Sequence, residues 1–172
     1  NEPELPLVGN YDLSKYKIYF SDTGLLIASL DDESQTDLRE NKNFNTFKGA
    51  IYESIASETL IKAGYKLFYY KDEHSQIEMD FFVRGKDNLI PIEVKAKDGA
   101  TISLNNLITK EKYKEVKFGI KFGDKNIGFN GKKYTTIYMS LYGISNLEDI
   151  SKKIFIETTQ AYGNKNVKRY MN

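Results

Sequence analysis

Asp80, Glu93 and Lys95 are the residues whose types and spacing point most directly to chemistry. They lie in a stretch, residues 77–96, that alternates apolar and polar side chains on both sides of Gly85-Lys86-Asp87-Asn88. Alternation with a polar, glycine-containing break predicts two strands folded back as a hairpin. A turn centred on Lys86–Asp87 sets Met79 against Val94, Phe81 against Ile92 and Val83 against Ile90, which makes one face wholly apolar. On the other face Asp80 meets Glu93, and Glu78 meets Lys95. Like charges directly opposite on a sheet cost up to about 1 kcal/mol. A divalent cation held by both carboxylates, with Lys95 beside them, would offset that cost. Magnesium, or manganese in its place, takes one or two carboxylates and fills its octahedron with water and phosphate oxygens. Such an ion polarises a scissile phosphate and acidifies a bound water. Lys95, on the same strand face, would orient the attacking group and offset charge on the transition state. The Val94 carbonyl is a further possible ligand. An ordinary surface salt bridge to Lys95 is the plainer alternative, and it leaves Asp80 opposite Glu93 unexplained.

A third carboxylate comes from residues 47–63, the strongest helical pattern in the chain. At 100° per residue, Ile51, Tyr52, Ile55, Ala56, Leu60 and Ala63 share one apolar side. Glu53 falls at its edge, and its neighbours one turn away are Gly49, Ala50, Ala56 and Ser57. No lysine or arginine lies three or four residues off. Glu58, by contrast, has Lys62 four residues on, an ordinary surface pair. Glu53 is therefore a candidate metal ligand or a group that positions metal-bound water.

The elements that must position these groups follow from the pattern. Residues 1–10 hold two of the three prolines and read as an extended lead-in. Tyr16–Phe20 is a short strand candidate, and Ser21-Asp22-Thr23 caps a helix over residues 25–30. Residues 31–46 read as a loop with at most a little helix. Gly64 stops the 47–63 helix. Strands are expected at 65–70, on both arms of the hairpin, at 115–122 and at 134–141. Helices are expected at 105–114 and 146–155. The tail beyond Gln160 is polar. Helix, strand, hairpin, helix, strand, strand predicts an α/β fold, a mixed central sheet flanked by helices.

The 172 residues suffice for one domain with an appendage, and the 40% apolar content for a real core. Net charge is +1, so global basicity does not argue for nucleic acid. Charge is unevenly spread, however: residues 1–40 carry a net −6, residues 110–133 a net +5 and residues 151–172 a net +4. A basic second half beside the acidic site would steer a polyanion such as DNA. With no cysteine, disulfides, thiolate zinc sites and cysteine nucleophiles are excluded. No apolar run approaches the roughly 20 residues of a membrane span, so no membrane is expected and a cytoplasmic location is. No Walker pattern occurs, so ATP hydrolysis is not expected of these residues. His74, the only histidine, sits in the polar run Asp72-Glu73-His74-Ser75-Gln76 and reads as an exposed loop residue. Gln76 and Glu78 border the site. Tyr113, among Lys110, Lys112 and Lys114, is a candidate base-stacking residue.

Asp80 followed by Glu93-Val94-Lys95 after a hairpin, with Glu53 on the preceding helix, resembles the PD-(D/E)xK pattern of restriction-endonuclease-like nucleases. The order of further segments narrows the resemblance. Lys17-Ile18-Tyr19-Phe20-Ser21-Asp22-Thr23-Gly24-Leu25-Leu26 resembles a K-x-Y-x-x-D-x-G-L segment. Gly49-Ala50-Ile51-Tyr52-Glu53-Ser54-Ile55-Ala56 resembles a G-x-x-x-E-x-x-V helix. With Glu78-Met79-Asp80-Phe81, Pro91-Ile92-Glu93-Val94-Lys95-Ala96 and Ser103-Leu104, the series is similar to the C-terminal domain of unknown function of bacterial and archaeal AAA-type ATPases. The resemblance covers about residues 5–145. It implies a restriction-endonuclease-like core, and a parent chain in which ATPase and winged-helix modules come first. The opening at Asn1 without Met fits such a parent. Met79 stands where the broader nuclease pattern has proline.

The expected organisation is a lead-in over residues 1–46, a nuclease-like core over 47–145, and a C-terminal helix and polar tail over 146–172. The expected function is magnesium- or manganese-dependent hydrolysis of DNA phosphodiesters, with Asp80, Glu93 and Glu53 at the metal and Lys95 assisting the nucleophile. The alternatives are a catalytically inert regulatory or partner-binding module of the ATPase, and a DNA-binding module that uses its lysines without cleavage.

Overall fold

The computed structural model describes residues 3–10, 12–40, 42, 45–96, 100–123, 128–130 and 135–140. The helix expected at 146–155 and the polar tail lie outside them. The described chain runs α1 (Leu7–Asn10), α2 (Thr23–Ala28), α3 (Asp32–Arg39), α4 (Asn45–Lys62), β1 (Phe68–Lys71), β2 (Glu78–Arg84), β3 (Leu89–Val94), α5 (Ile102–Thr109), β4 (Phe118–Gly123), β5 (Gly128–Asn130) and β6 (Thr135–Ser140). The strands form one six-stranded mixed sheet in the order β1-β2-β3-β4-β6-β5. β1, β2 and β3 are antiparallel neighbours, β3–β4 and β4–β6 pair in parallel, and β5 returns antiparallel to β6.

Both faces of the sheet are covered. On one, Tyr52, Ala56 and Leu60 of α4 pack on Phe81, Val83, Ile92, Val94, Ile120 and Phe122. On the other, Leu104, Leu107 and Ile108 of α5 pack on Met79, Phe82 and Leu89. Burial on both sides explains the apolar run Phe81-Phe82-Val83, in which all three side chains are buried. The expected ribbon with one sealed face and one acidic face is thus corrected: the acidic groups collect only at the open end of the hairpin.

The hairpin register is the expected one from Arg84↔Leu89 through Phe81↔Ile92. Beyond that point β2 departs from simple alternation. Against β1, Phe68 pairs with Phe82 but Tyr70 pairs with Met79, so two residues of β1 span three of β2. This bulge carries Met79 to the α5 side, not to the face of Phe81 where strict alternation put it.

Helix ends follow capping chemistry. Gly64 takes φ 80°, while Gly64 N–H donates to the Ile61 carbonyl and Tyr65 N–H to the Leu60 carbonyl, a Schellman ending for α4. The Asp22 carboxylate accepts from Leu25 N–H at the start of α2. The Asp31 carboxylate accepts from Ser34 N–H at 2.9 Å and starts α3. That helix forms inside the stretch read as a loop. It buries no side chain, so it left no hydrophobic period to read, and its support is the cap plus Asp32 and Glu33 in the first turn and Arg39 in the last. The lead-in contains the four-residue α1. Tyr16–Phe20 pairs with no strand, and α5 begins three residues before the expected start. β1 is shorter than its alternating sequence.

α5 meets the sheet at Gly119. A Cβ there would lie 2.5 Å from Leu104 Cδ1 and 3.0 Å from Ile108 Cδ1. Leu104 is fully buried and has nowhere to retreat. Gly119→Ala is expected to destabilise the domain by about 1–3 kcal/mol, read as a lower urea midpoint at unchanged slope.

Candidate metal and phosphodiester site

The hairpin's open end builds the site. Gly85 N–H donates to the Asn88 carbonyl. Hydrogen-bonded pairs therefore recur at every second position along the hairpin, and the next N–H due a backbone partner at the open end is that of Val94. It donates instead to Asp80 Oδ2 at 2.7 Å. The carboxylate replaces a ladder bond and parts the strands just where Asp80 and Glu93 lie. Asp80 Oδ1 is left facing the Lys17 ammonium at 3.6 Å.

Glu93 follows on β3, beside Lys121 of β4. Its side chain is only 4% exposed. Lys95 Nζ lies 2.9 Å from its Oε1, while Oε2 is buried without a hydrogen-bond partner among the described residues. An ionised oxygen kept from water and from donors is costly. Burial, aided by nearby Asp80, outweighs Lys95 and Lys121 and holds the Glu93 carboxyl above its ordinary range. For Lys95, burial opposes the charged form, but the bond to Glu93 and the fields of Glu93, Asp80 and Glu53 overcome it and raise its pKa.

Glu53 approaches from α4 and is not without a partner, as its helix surroundings suggested. Tyr19 donates its hydroxyl to Glu53 Oε2 at 3.1 Å, and Lys17 Nζ lies 3.6 Å from the same oxygen. Burial and the Glu53 carboxylate push the Tyr19 phenol far above its usual pKa. Glu78 does not meet Lys95; its ion pairs are with Lys71 at 3.4 Å and Lys17 at 3.9 Å. Lys17 and Tyr19 are the site residues that the sequence reading left without a role. Their signal was present, since two residues at i and i+2 of an extended segment point to one side.

The four expected site residues thus fall into two groups, each gathered by an ammonium: Glu53 and Asp80 around Lys17, and Glu93 around Lys95. Among the described residues no three His, Asp or Glu are grouped to hold a metal ion. The donor chemistry nevertheless fits a hard divalent cation, with carboxylates at the mouth of the parted strands and one buried carboxylate oxygen that meets no donor among the described residues. An open cavity of about 660 Å³ adjoins the site, lined by Asp80, Lys17, Tyr19, Ser57 and Tyr69 among others.

Other expected positions resolve differently. Tyr113 is buried, its hydroxyl 2.9 Å from that of Tyr70, and is closed to base stacking. His74 is exposed, as expected. Of the lysines in the 110–133 stretch, Lys110 lies 3.7 Å from Asp72 and Lys121 is buried beside Glu93. Lys125, Lys132 and Lys133 lie outside the described residues.

The segment bearing Lys17 and Tyr19 is fixed to α4 by Thr23, whose N–H and hydroxyl both donate to Glu58 Oε2. The Lys62 ammonium, then the two Thr23 donors, draw the Glu58 carboxyl down to about 2. Two carboxylates therefore give opposite pH signatures. Glu58 has a folded pKa below its ordinary 4.5, so its contribution is full above about 4.5 and is lost as pH falls toward 2. Glu93 has a folded pKa above 4.5, so folding gains stability as pH falls from neutral through that raised value. At neutral pH Glu58→Gln is expected to melt below the parent and Glu93→Gln above it, and on acidification both gaps should close, from opposite sides; gaps that stay constant with pH would refute the assignment.

No curated protein matches the chain. Residues 48–142 match the family described as a domain of unknown function, DUF4143, a span that takes in Glu53, Asp80, Glu93 and Lys95. The matched residues are more than half of the chain, and the protein belongs to that family.

Proposed function

We propose that the domain is a restriction-endonuclease-like nuclease module of an AAA-type ATPase, hydrolysing DNA phosphodiesters with magnesium or manganese. The observation that carries this reading is Glu93: a buried carboxylate with one oxygen bare of donors, beside Lys95, at the point where Asp80 parts the strands. Asp80, Glu93 and Glu53 would hold the ion, which when bound supplies Lewis-acid polarisation of the phosphate and a more acidic water. Lys95 keeps its proton because three carboxylates surround it. Its charge is therefore available to orient the nucleophile and to meet the phosphate's growing negative charge. Asp80 is held in place by the Val94 N–H, which limits the reorganisation needed on binding.

One observation favours the second reading, a catalytically inert regulatory module of the ATPase. The Lys17 ammonium already offsets part of the charge of the Glu53–Asp80 cluster, so the carboxylates have a structural use without an ion. A cleavage assay on single- and double-stranded DNA with magnesium or manganese separates the two, with Asp80→Ala and Lys95→Ala as controls. Metal-dependent cleavage lost in both variants supports the nuclease. Cleavage that survives both substitutions sinks the mechanism, and no cleavage from the parent supports the regulatory module.

A further inference from the structure

Lys17 stands where the acidic cluster has most need of a cation. Its Nζ is 3.6 Å from Glu53, 3.6 Å from Asp80 and 3.9 Å from Glu78. An ammonium bonded to a carboxylate normally closes to about 2.7–2.9 Å. Lys17 closes on none of the three and serves all of them as a shared point charge, with the Tyr69 ring 5.7 Å away. A divalent ion among the same oxygens would sit within a few ångströms of that ammonium, and like charges at such range repel strongly in a half-buried site.

The segment that carries Lys17 is held mainly by side chains. Residues 12–22 belong to no helix or strand. Lys17 and Tyr19 turn inward, whereas Leu13, Tyr16 and Ile18 are 81%, 72% and 82% exposed. The segment's stake in the core is Tyr19, whose ring lies 5.5 Å from that of Phe81. Its other ties are polar: the exposed Lys15–Glu73 ion pair at one end and the Thr23–Glu58 bonds at the other. Withdrawal would free Glu53 of both Lys17 and the Tyr19 hydroxyl at once, because both come from the same stretch.

We infer that Lys17 is an internal counter-ion that competes with divalent metal for the Glu53–Asp80 cluster, so that metal loading requires the 12–22 segment to withdraw. This rests on the metal-site reading above. The segment then acts as a strap, and whatever holds it down keeps the site unloaded.

Manganese titration followed by the electron-paramagnetic signal of the free ion tests the strap without any cleavage assay. The 172-residue chain is compared with Lys17→Met, Lys17→Arg and the double variant Lys17→Met/Asp80→Asn, each checked for folding by its melting curve. Lys17→Met is expected to bind manganese about tenfold or more tightly than the parent. Lys17→Arg should stay with the parent, and Asp80→Asn should erase the gain. Equal binding by the parent and Lys17→Met would overturn the strap and leave the metal site standing. No binding by any of them would overturn both. A second measurement uses the unaltered chain: manganese should raise acylation of the Lys17 amine several-fold, read by peptide mass spectrometry. Unchanged labelling at saturating metal overturns the competition even if Lys17→Met fails to fold.

Discussion

Under the proposed function, Asp80→Asn is expected to lower metal-dependent cleavage at least about 100-fold and to leave the domain nearly as stable as before. Asp80→Ala is expected to lose the same activity and in addition to cost about 1–3 kcal/mol of stability. The two substitutions should part company because the proposed function gives Asp80 a second duty beside the one its Oδ2 already has. Oδ2 accepts the Val94 N–H at 2.7 Å, and Val94 is buried, so removing the acceptor leaves that N–H without its protein partner. An amide oxygen can still take that hydrogen bond. It cannot supply the anionic charge that a divalent cation demands. Cleavage rates and urea midpoints measured on the same preparations give the comparison. Equal stability losses in the two variants would show that Asp80 does not hold the open end of the hairpin, and full activity in Asp80→Asn would remove it from the metal site.

Phe81→Ala is expected to cost about 3–5 kcal/mol, a large share of a small domain's stability. Phe81 is among the largest fully buried side chains, packed under α4. Phe82→Ala should cost about as much, since Phe82 is equally buried on the α5 side. The two should nevertheless differ at the strap. Only Phe81 carries the Tyr19 ring, tilted at 45° with centroids 5.5 Å apart. Hydrogen exchange at the amides of residues 16–22 should accelerate in Phe81→Ala beyond what the global loss explains, and in Phe82→Ala only to the extent of that loss. Similar exchange in both would show that Tyr19 does not anchor the segment through Phe81.

The sequence disclosed whatever depends on neighbours along the chain. The hairpin register was legible because alternation and a four-residue turn fix it, and the α4 stripe and its Gly64 stop were legible for the same reason. Met79 was misplaced because a bulge arises from pairing with β1, which alternation within β2 does not encode. α3 was missed because it packs nothing. For the site, the residue types were legible and their counter-charges were not. Glu53 seemed unpartnered only because helix spacing looks three and four residues away, while its partners Tyr19 and Lys17 lie on an earlier segment that is itself neither helix nor strand. Tyr113 misled for the converse reason: lysines around a tyrosine suggest a surface, and only the fold reveals that its hydroxyl is spent on Tyr70.

The contacts that make the acidic site also differ in when they can be made. Asp80 and Val94 are 14 residues apart and come together as the hairpin closes, an event of microseconds for an isolated hairpin. Tyr19 and Glu53 are separated by 34 residues, and each doubling of a closed loop adds roughly 0.6 kcal/mol of entropy cost. The Asp80 end of the site thus depends on a short closure, while the Lys17 ammonium beside it belongs to a segment that a longer closure must bring in. Loosening the long closure alone would therefore leave Asp80 bonded to the Val94 N–H and deprived of the Lys17 ammonium.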